Sequence, residues 1–258
     1  MPRFAANLSF LFTEVEFLDR FEAAAKAGFA AVEFLFPYAW PASEIRQRLD
    51  DHGLELALFN ITPGDWDKGE RGLAGVPGRE REFRDGVSRA LDYANALGCR
   101  RLHAMAGLEA HGATLATYVH NLAHAAERAR PYGIDVLIEP INTFDMPGYL
   151  LTRAHAAAEI IAGVGMANLR LQLDLYHRHR MEGHVAEAIR DYAPLVSHYQ
   201  IAGPPDRGEP IPSELDVAAL IEAIDATGYD GWIGCEYRPR AGTLAGLGWM
   251  EEIRRASG

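Results

Sequence analysis

Four times in the second half of the chain, a short apolar run ends on an oxygen-bearing side chain. Val136-Leu137-Ile138 leads to Glu139, Leu169-Arg170-Leu171-Gln172-Leu173 to Asp174, Val196-Ser197-His198-Tyr199 to Gln200, and Gly231-Trp232-Ile233-Gly234-Cys235 to Glu236. Runs of this length, rich in β-branched residues, read as buried parallel strands. A carboxylate within such a strand is costly to bury unless it is paired or binds a cation. At the C-terminal end of the strand it can face a site instead. The four oxygen-bearing residues lie 35, 26 and 36 residues apart, each interval long enough for a strand, a helix and two loops. The chain is thereby constrained to a series of βα units whose strand ends share one side.

The first half keeps the same rhythm. Strands are predicted over Phe4–Leu8, Ala31–Phe34, Leu54–Asn60 and Arg101–Met105. Helices are predicted over Glu16–Ala27, from a Ser43 cap to His52, and over Glu80–Leu97 and Thr114–Tyr132. Four more helices follow over Thr152–Val164 (with Thr152 as N-cap), Val185–Tyr192, Asp216–Thr227 and Thr243–Arg255. Glycines at 28, 53, 98 and 228 stand where helices should stop. Eight strands and eight helices in 258 residues match the size of a single α/β domain over 1–258, a closed (β/α)8 or TIM barrel. A doubly wound open sheet is the alternative, but no glycine-rich phosphate turn follows the first strand.

Composition narrows the partners. The net charge of −11 argues against nucleic acid or an anionic membrane, although a bound cation and a few arginines can reverse the sign locally for a small anionic substrate. No apolar run approaches the roughly 20 residues of a membrane span, and the N-terminus carries no secretion pattern. Cys99 and Cys235 lack metal spacing and read as buried free thiols of a reducing, cytoplasmic compartment. A homo-oligomer stays open.

Active sites of such barrels lie at the C-terminal strand ends. Glu139, Asp174, Gln200 and Glu236 would then come from four adjacent strands. Any one of them alone reads as a strand-end group bonded to a loop; four in series point to a metal site. Their hard oxygen donors suit Mg²⁺ or Mn²⁺ better than zinc, and a divalent cation relieves the mutual repulsion of three carboxylates. His177, three residues after Asp174, can donate to a substrate oxygen or be an ordinary loop histidine. Arg207 can grip a carboxylate through its fork. Asp145 is a substrate ligand or a turn former. The polar loop 61–79 is a candidate lid, and Phe34, Phe36, Tyr38 and Trp40 are either a pocket wall or ordinary core.

Several stretches resemble the hydroxypyruvate isomerase family, among the xylose-isomerase-like barrels. They are Arg3–Ser9, Val32–Tyr38, Gly64-Asp65-Trp66 with Gly69-Glu70-Arg71-Gly72, Pro77–Glu80, Ile138–Asn142, Arg180–Gly183 and Gly231–Tyr237. The resemblance implies an isomerase that interconverts hydroxypyruvate and tartronate semialdehyde by metal-assisted proton transfer through an enediolate. Glu139 and Glu236 would move the proton, and Glu139, Asp174, Gln200 and Glu236 would hold the metal. Related epimerases carry a histidine where Gln200 stands. The Gly234–Arg240 stretch also resembles the 2-oxo-tetronate isomerases, so that activity, a ketose 3-epimerase and a non-catalytic sugar-acid binder remain alternatives. A DNA-repair endonuclease on the same barrel would want more histidine ligands and a basic face.

Overall fold

The computed structural model describes residues 2–211 and 214–256. Its eight parallel strands hydrogen-bond in chain order and close on themselves, a TIM barrel as expected. They are β1 (Phe4–Asn7), β2 (Ala31–Phe34), β3 (Glu55–Asn60), β4 (Arg101–His103), β5 (Asp135–Ile138), β6 (Leu169–Asp174), β7 (Val196–Ile201) and β8 (Ile233–Cys235). The seam sets Ala5 of β1 beside Gly234 of β8 and Ala6 beside Cys235. Around the strands run α1 (Arg20–Lys26), α2 (Ala42–His52), α3 (Glu80–Leu97), α4 (Leu115–Ala129), α5 (Ala154–Val164), α6 (Leu175–Glu182), α7 (Val185–Tyr192), α8 (Val217–Asp225) and α9 (Gly248–Ala256). The single domain expected over 1–258 extends past the described residues at both ends.

Most helices cover the barrel with one apolar stripe. On α3 the stripe is Phe83, Val87, Ala90, Leu91, Ala94 and Leu97, all buried, at the spacing that keeps one face of a helix. Gly98 then adopts a left-handed conformation that ends it. Inside the barrel, Ala5, Ala31 and Ala57 form an apolar cluster with Trp232, apart from the main core. Two residues further along their strands, and so on the same face, stand Asn7 and Glu33. The barrel therefore has an apolar floor and a polar layer above it, toward the C-terminal strand ends.

Most predicted elements fall where expected, with differences at the ends. The first helix divides into a 3-10 turn at Phe17–Asp19 and α1, and the last into a 3-10 turn at Leu244–Gly246 and α9. Ser43 lies inside α2, whose N-cap is Pro41. Arg153 rather than Thr152 precedes α5. β4 stops at His103. The helix α6 was not expected: Leu175-Tyr176-His177-Arg178-His179-Arg180-Met181-Glu182 has no apolar period to announce it. Both cysteines are buried and outside any disulfide, and no helix among the described residues is long and apolar enough to cross a membrane.

Candidate active site

The four predicted residues stand at one mouth of the barrel. Glu139 follows β5 directly, Asp174 is the last residue of β6, Gln200 is the last but one of β7, and Glu236 follows β8 directly. All four are buried. Asp174 has a second duty as N-cap of α6, where Oδ1 accepts from the backbone N–H groups of Tyr176 (2.8 Å) and His177 (3.3 Å). The cap is what starts α6 and carries His177 inward. Glu139, Asp174 and His177 each offer a ligand atom within 4.8 Å of the others. His177 Nε2 lies 3.8 Å from Glu139 Oε1 and 3.6 Å from Asp174 Oδ2. Glu139 Oε1 is buried without any hydrogen-bond partner. A buried carboxylate oxygen left in this way fits a cation-binding role, so the carboxylates of Glu139 and Asp174 suit a divalent metal.

The tautomer of His177 can be deduced. Asn142 Oδ1 accepts from the backbone N–H groups of Phe144 (3.0 Å) and Asp145 (2.8 Å). Its amide nitrogen is thereby turned to His177 Nδ1 at 2.6 Å and to Asp145 Oδ2 at 3.1 Å. With Nδ1 accepting, the neutral ring carries its hydrogen on Nε2. Burial, with Arg207 and His103 nearby, holds the His177 pKa well below the usual range. His103, whose Nδ1 is 3.6 Å from Glu139 Oε2, is pushed down by burial to about 3. Both rings are neutral, so neither contact is an ion pair.

Arg207 leaves its loop through a left-handed residue (φ 58°) and lies in the middle of the acids. Its Nη2 donates to Asp174 Oδ2 at 3.3 Å and to Glu236 Oε1, and its Nε donates to the Glu236 carbonyl oxygen at 3.2 Å. It lines the cleft, and the carboxylates it holds belong to the protein. Burial pushes the Glu236 carboxyl up to about 8, with Asp174 and Glu33 adding to the rise and Arg207 and Gln200 opposing it. Burial, Glu236 and Asp174 raise Glu139 well above the carboxylate range. Asp174 is raised by burial against Arg207 and its two backbone donors.

Beneath the mouth lies a polar network that the strand-end pattern did not reveal. Glu33 of β2 is fully buried. Its Oε2 accepts from His198 Nε2 at 2.6 Å, and its Oε1 from Asn7 Nδ2 at 3.0 Å and Gln200 Nε2 at 2.8 Å. Asn7 and Gln200 also donate to Glu236 Oε2. Gln200 thus turns its amide nitrogen toward Glu33 and Glu236, while its oxygen accepts from Gln172 Nε2 at 2.6 Å. The only sequence clue was Glu33 itself, an acid inside a strand.

The remaining candidates divide. Asp145 lines the cleft and is also part of the Asn142 turn. Phe34 and Trp40 belong to the core, packed on Phe17, and Tyr38 bonds the Asn60 carbonyl oxygen. Phe36 packs on Trp66, with ring centroids 5.0 Å apart. Trp66 and Arg71 bring loop 61–79 to the edge of the cleft, which encloses a cavity of about 200 Å³.

Fold and site together define a xylose isomerase-like TIM barrel; that family matches residues 21–253, and the chain belongs to it. A 2-oxo-tetronate isomerase of Cupriavidus necator is 56% identical, over 97% of this chain and 98% of its own length. The hydroxypyruvate isomerase of Escherichia coli K12 is 46% identical, over 98% and 100%. A crystal structure of an AP endonuclease, family 2, from Brucella melitensis superposes with a TM-score of 0.95 at 48% identity, covering 98% of this chain and 99% of that one. The chain is an isomerase of this family.

Proposed function

We propose that this isomerase interconverts hydroxypyruvate and tartronate semialdehyde at the C-terminal mouth of the barrel. The observation that carries the proposal is the convergence of Glu139, Asp174 and Glu236 with a neutral, donating His177. A second reading, 2-oxo-tetronate as substrate, is favoured by 56% identity to a 2-oxo-tetronate isomerase against 46% to a hydroxypyruvate isomerase. The two substrates differ by one carbinol carbon, and the same residues would serve both.

Glu139, Asp174 and Glu236 are the residues that would hold a divalent cation, Mg²⁺ or Mn²⁺ by the hardness of their oxygens; Gln200, expected as a fourth ligand, turns its oxygen to Gln172 and its amide nitrogen to Glu236, so it positions Glu236 instead. When bound, the cation supplies Lewis-acid polarisation of the substrate oxygens. The chain's own groups move the protons. One of Glu139 and Glu236 takes a proton from the hydroxymethyl carbon. The released electron pair forms the carbon–carbon double bond as the neighbouring carbonyl oxygen gains charge, which gives an enediolate. The facing acid returns a proton to the adjacent carbon, while the hydroxyl proton passes to the charged oxygen on that carbon, which leaves an aldehyde at one carbon and a hydroxyl at the other. Composition is unchanged. A placed general base contributes about 10²–10⁴-fold. His177 Nε2–H and Arg207 stabilise the charge on oxygen, and Asp145 borders the substrate. Two buried cysteines outside any disulfide suit a cytoplasmic protein.

The test is NMR in D₂O with Mn²⁺- or Mg²⁺-loaded protein and a panel of hydroxypyruvate, 2-oxo-tetronates and free ketoses. Loss of the C–H signal from the acids is expected. Exchange confined to a free ketose would make the chain an epimerase, and binding without exchange would make it a sensor. Glu236→Gln should fold, bind, and lose about 10²–10⁴-fold in turnover.

A further inference from the structure

Hydroxypyruvate and 2-oxo-tetronate both carry a carboxylate that takes no part in the proton transfer, and an acidic cleft needs a cation to receive it. Arg207 is already engaged: Asp174 and Glu236 hold its Nη2 and the Glu236 carbonyl oxygen its Nε. Two further arginines line the same cleft, Arg71 and Arg238. Neither is in an ion pair among the described residues, whereas Arg79 pairs with Glu70 and Glu82 and Arg240 with Asp206 and Glu209. Arg238 is exposed at the rim.

Arg71 is half-buried and already oriented. Its guanidinium carbon lies 3.8 Å over the Trp66 ring. Its Nη1 donates to the carbonyl oxygens of Trp66 (3.0 Å) and Glu70 (2.8 Å). Nη2 and Nε meet no acceptor among the described residues. The loop that carries Arg71 is built to hold it. Gly72 sits at φ 115°, so close to the end of β4 that a Cβ there would lie 2.3 Å from the Met105 carbonyl oxygen. Gly72 N–H donates to the Pro63 carbonyl oxygen at 2.9 Å. Glu70 accepts from the Asp65 N–H and pairs with Arg79. A half-desolvated guanidinium with a stacked face, one tethered nitrogen and an unused pair of donors is a ready carboxylate clamp.

We propose that Arg71 binds the unreactive carboxylate of the substrate through Nε and Nη2, with Arg238 adding charge at the rim, so that loop 61–79 selects 2-oxo acids over neutral hydroxyketones. The proposal rests on the reading that this site isomerises a hydroxy-oxo acid.

The test compares wild type, Arg71→Gln and Arg71→Lys as cation-loaded full chains. Melting curves and far-ultraviolet circular dichroism check folding. For Arg71→Gln the KM for hydroxypyruvate should rise roughly ten- to hundredfold, the scale of a lost bidentate charge-assisted pair, with kcat changed far less. Arg71→Lys should recover part of the loss. Deuterium exchange on dihydroxyacetone, which lacks the carboxylate, should be equal in all three. An unchanged KM, or an equal loss on dihydroxyacetone, overturns the proposal. Calorimetric binding of hydroxypyruvate separates the two levels. If wild type turns over neither acid, the isomerase reading falls, and weaker hydroxypyruvate binding by Arg71→Gln alone still supports the clamp. Equal binding by both proteins overturns it.

Discussion

Gly234→Ala is the substitution that most directly probes the polar layer under the site. A Cβ on Gly234 would lie 2.4 Å from both carboxylate oxygens of Glu33 and 2.6 Å from its Cδ. Glu33 cannot swing aside freely, because His198, Asn7 and Gln200 hold it on three bonds. Inserting a methyl group into a packed interior costs about 1–3 kcal/mol. Displacing the carboxylate from even one charge-assisted donor adds about 1.5–3 kcal/mol. The sum is about 2.5–6 kcal/mol, or roughly 5–20 °C in melting temperature for a chain of this size. Circular dichroism melts of the purified variant measure it. Gly163→Ala is the control of opposite sign. Gly163 is exposed within α5, with nothing within 4 Å of its would-be Cβ, and alanine there should stabilise by about 0.5–1 kcal/mol. If Gly234→Ala melts within about 2 °C of wild type, Glu33 is not held in place, and the network cannot be what orients Gln200 and Glu236.

Two further outcomes follow from the acids. Burial holds the Glu236 carboxyl up near 8 and Glu139 well above its usual range, while the buried neutral His177 and His103 act in the opposite sense only below about pH 6.5, so between about pH 6.5 and 8 the folded protein binds more protons than the unfolded chain. The stability of the cation-free protein should therefore fall as pH rises through that window, and added Mn²⁺ should raise the melting temperature more at pH 8 than at pH 6; scanning calorimetry showing an equal gain at both would contradict the burial argument. Asp174 separates its two duties by substitution. Asp174→Asn keeps a side-chain oxygen for the Tyr176 and His177 N–H groups and should weaken Mn²⁺ binding with little loss of stability, while Asp174→Ala should also lose about 1 kcal/mol as the cap of α6 disappears; calorimetric titration and melting curves together read the difference.

The strand ends were legible because each is a local pattern: an apolar run and the polar residue that stops it. The same logic found Glu80–Leu97, where the apolar period and the Gly98 stop agree. It missed α6, whose residues have no apolar face and whose start depends on the Asp174 side chain rather than on periodicity. It missed the Glu33–His198 pair for a different reason. Those residues are 165 positions apart, and each, taken singly, is an acid or a histidine in an otherwise apolar strand. Only barrel closure brings β2 and β7 to face one interior, and only the absence of a side chain at Gly234 leaves room for the carboxylate between them.

That contrast bears on Gln200. Taken from the strand pattern, it is one of four oxygen donors in a row. Its amide nitrogen is instead turned to Glu33 and Glu236, and its oxygen to Gln172. A carboxylate at Glu33 accepts the amide hydrogens and so sets which end of Gln200 faces which neighbour. Glu236, bonded by the same amide and by Asn7, has its position set by the same layer. The positions of Glu236 and Gln200 are therefore properties of the barrel interior as a whole. A change at Gly234, which faces no substrate, should reach the mouth through Glu33 and then Gln200, with the effect on proton exchange following the loss of stability in the same variant.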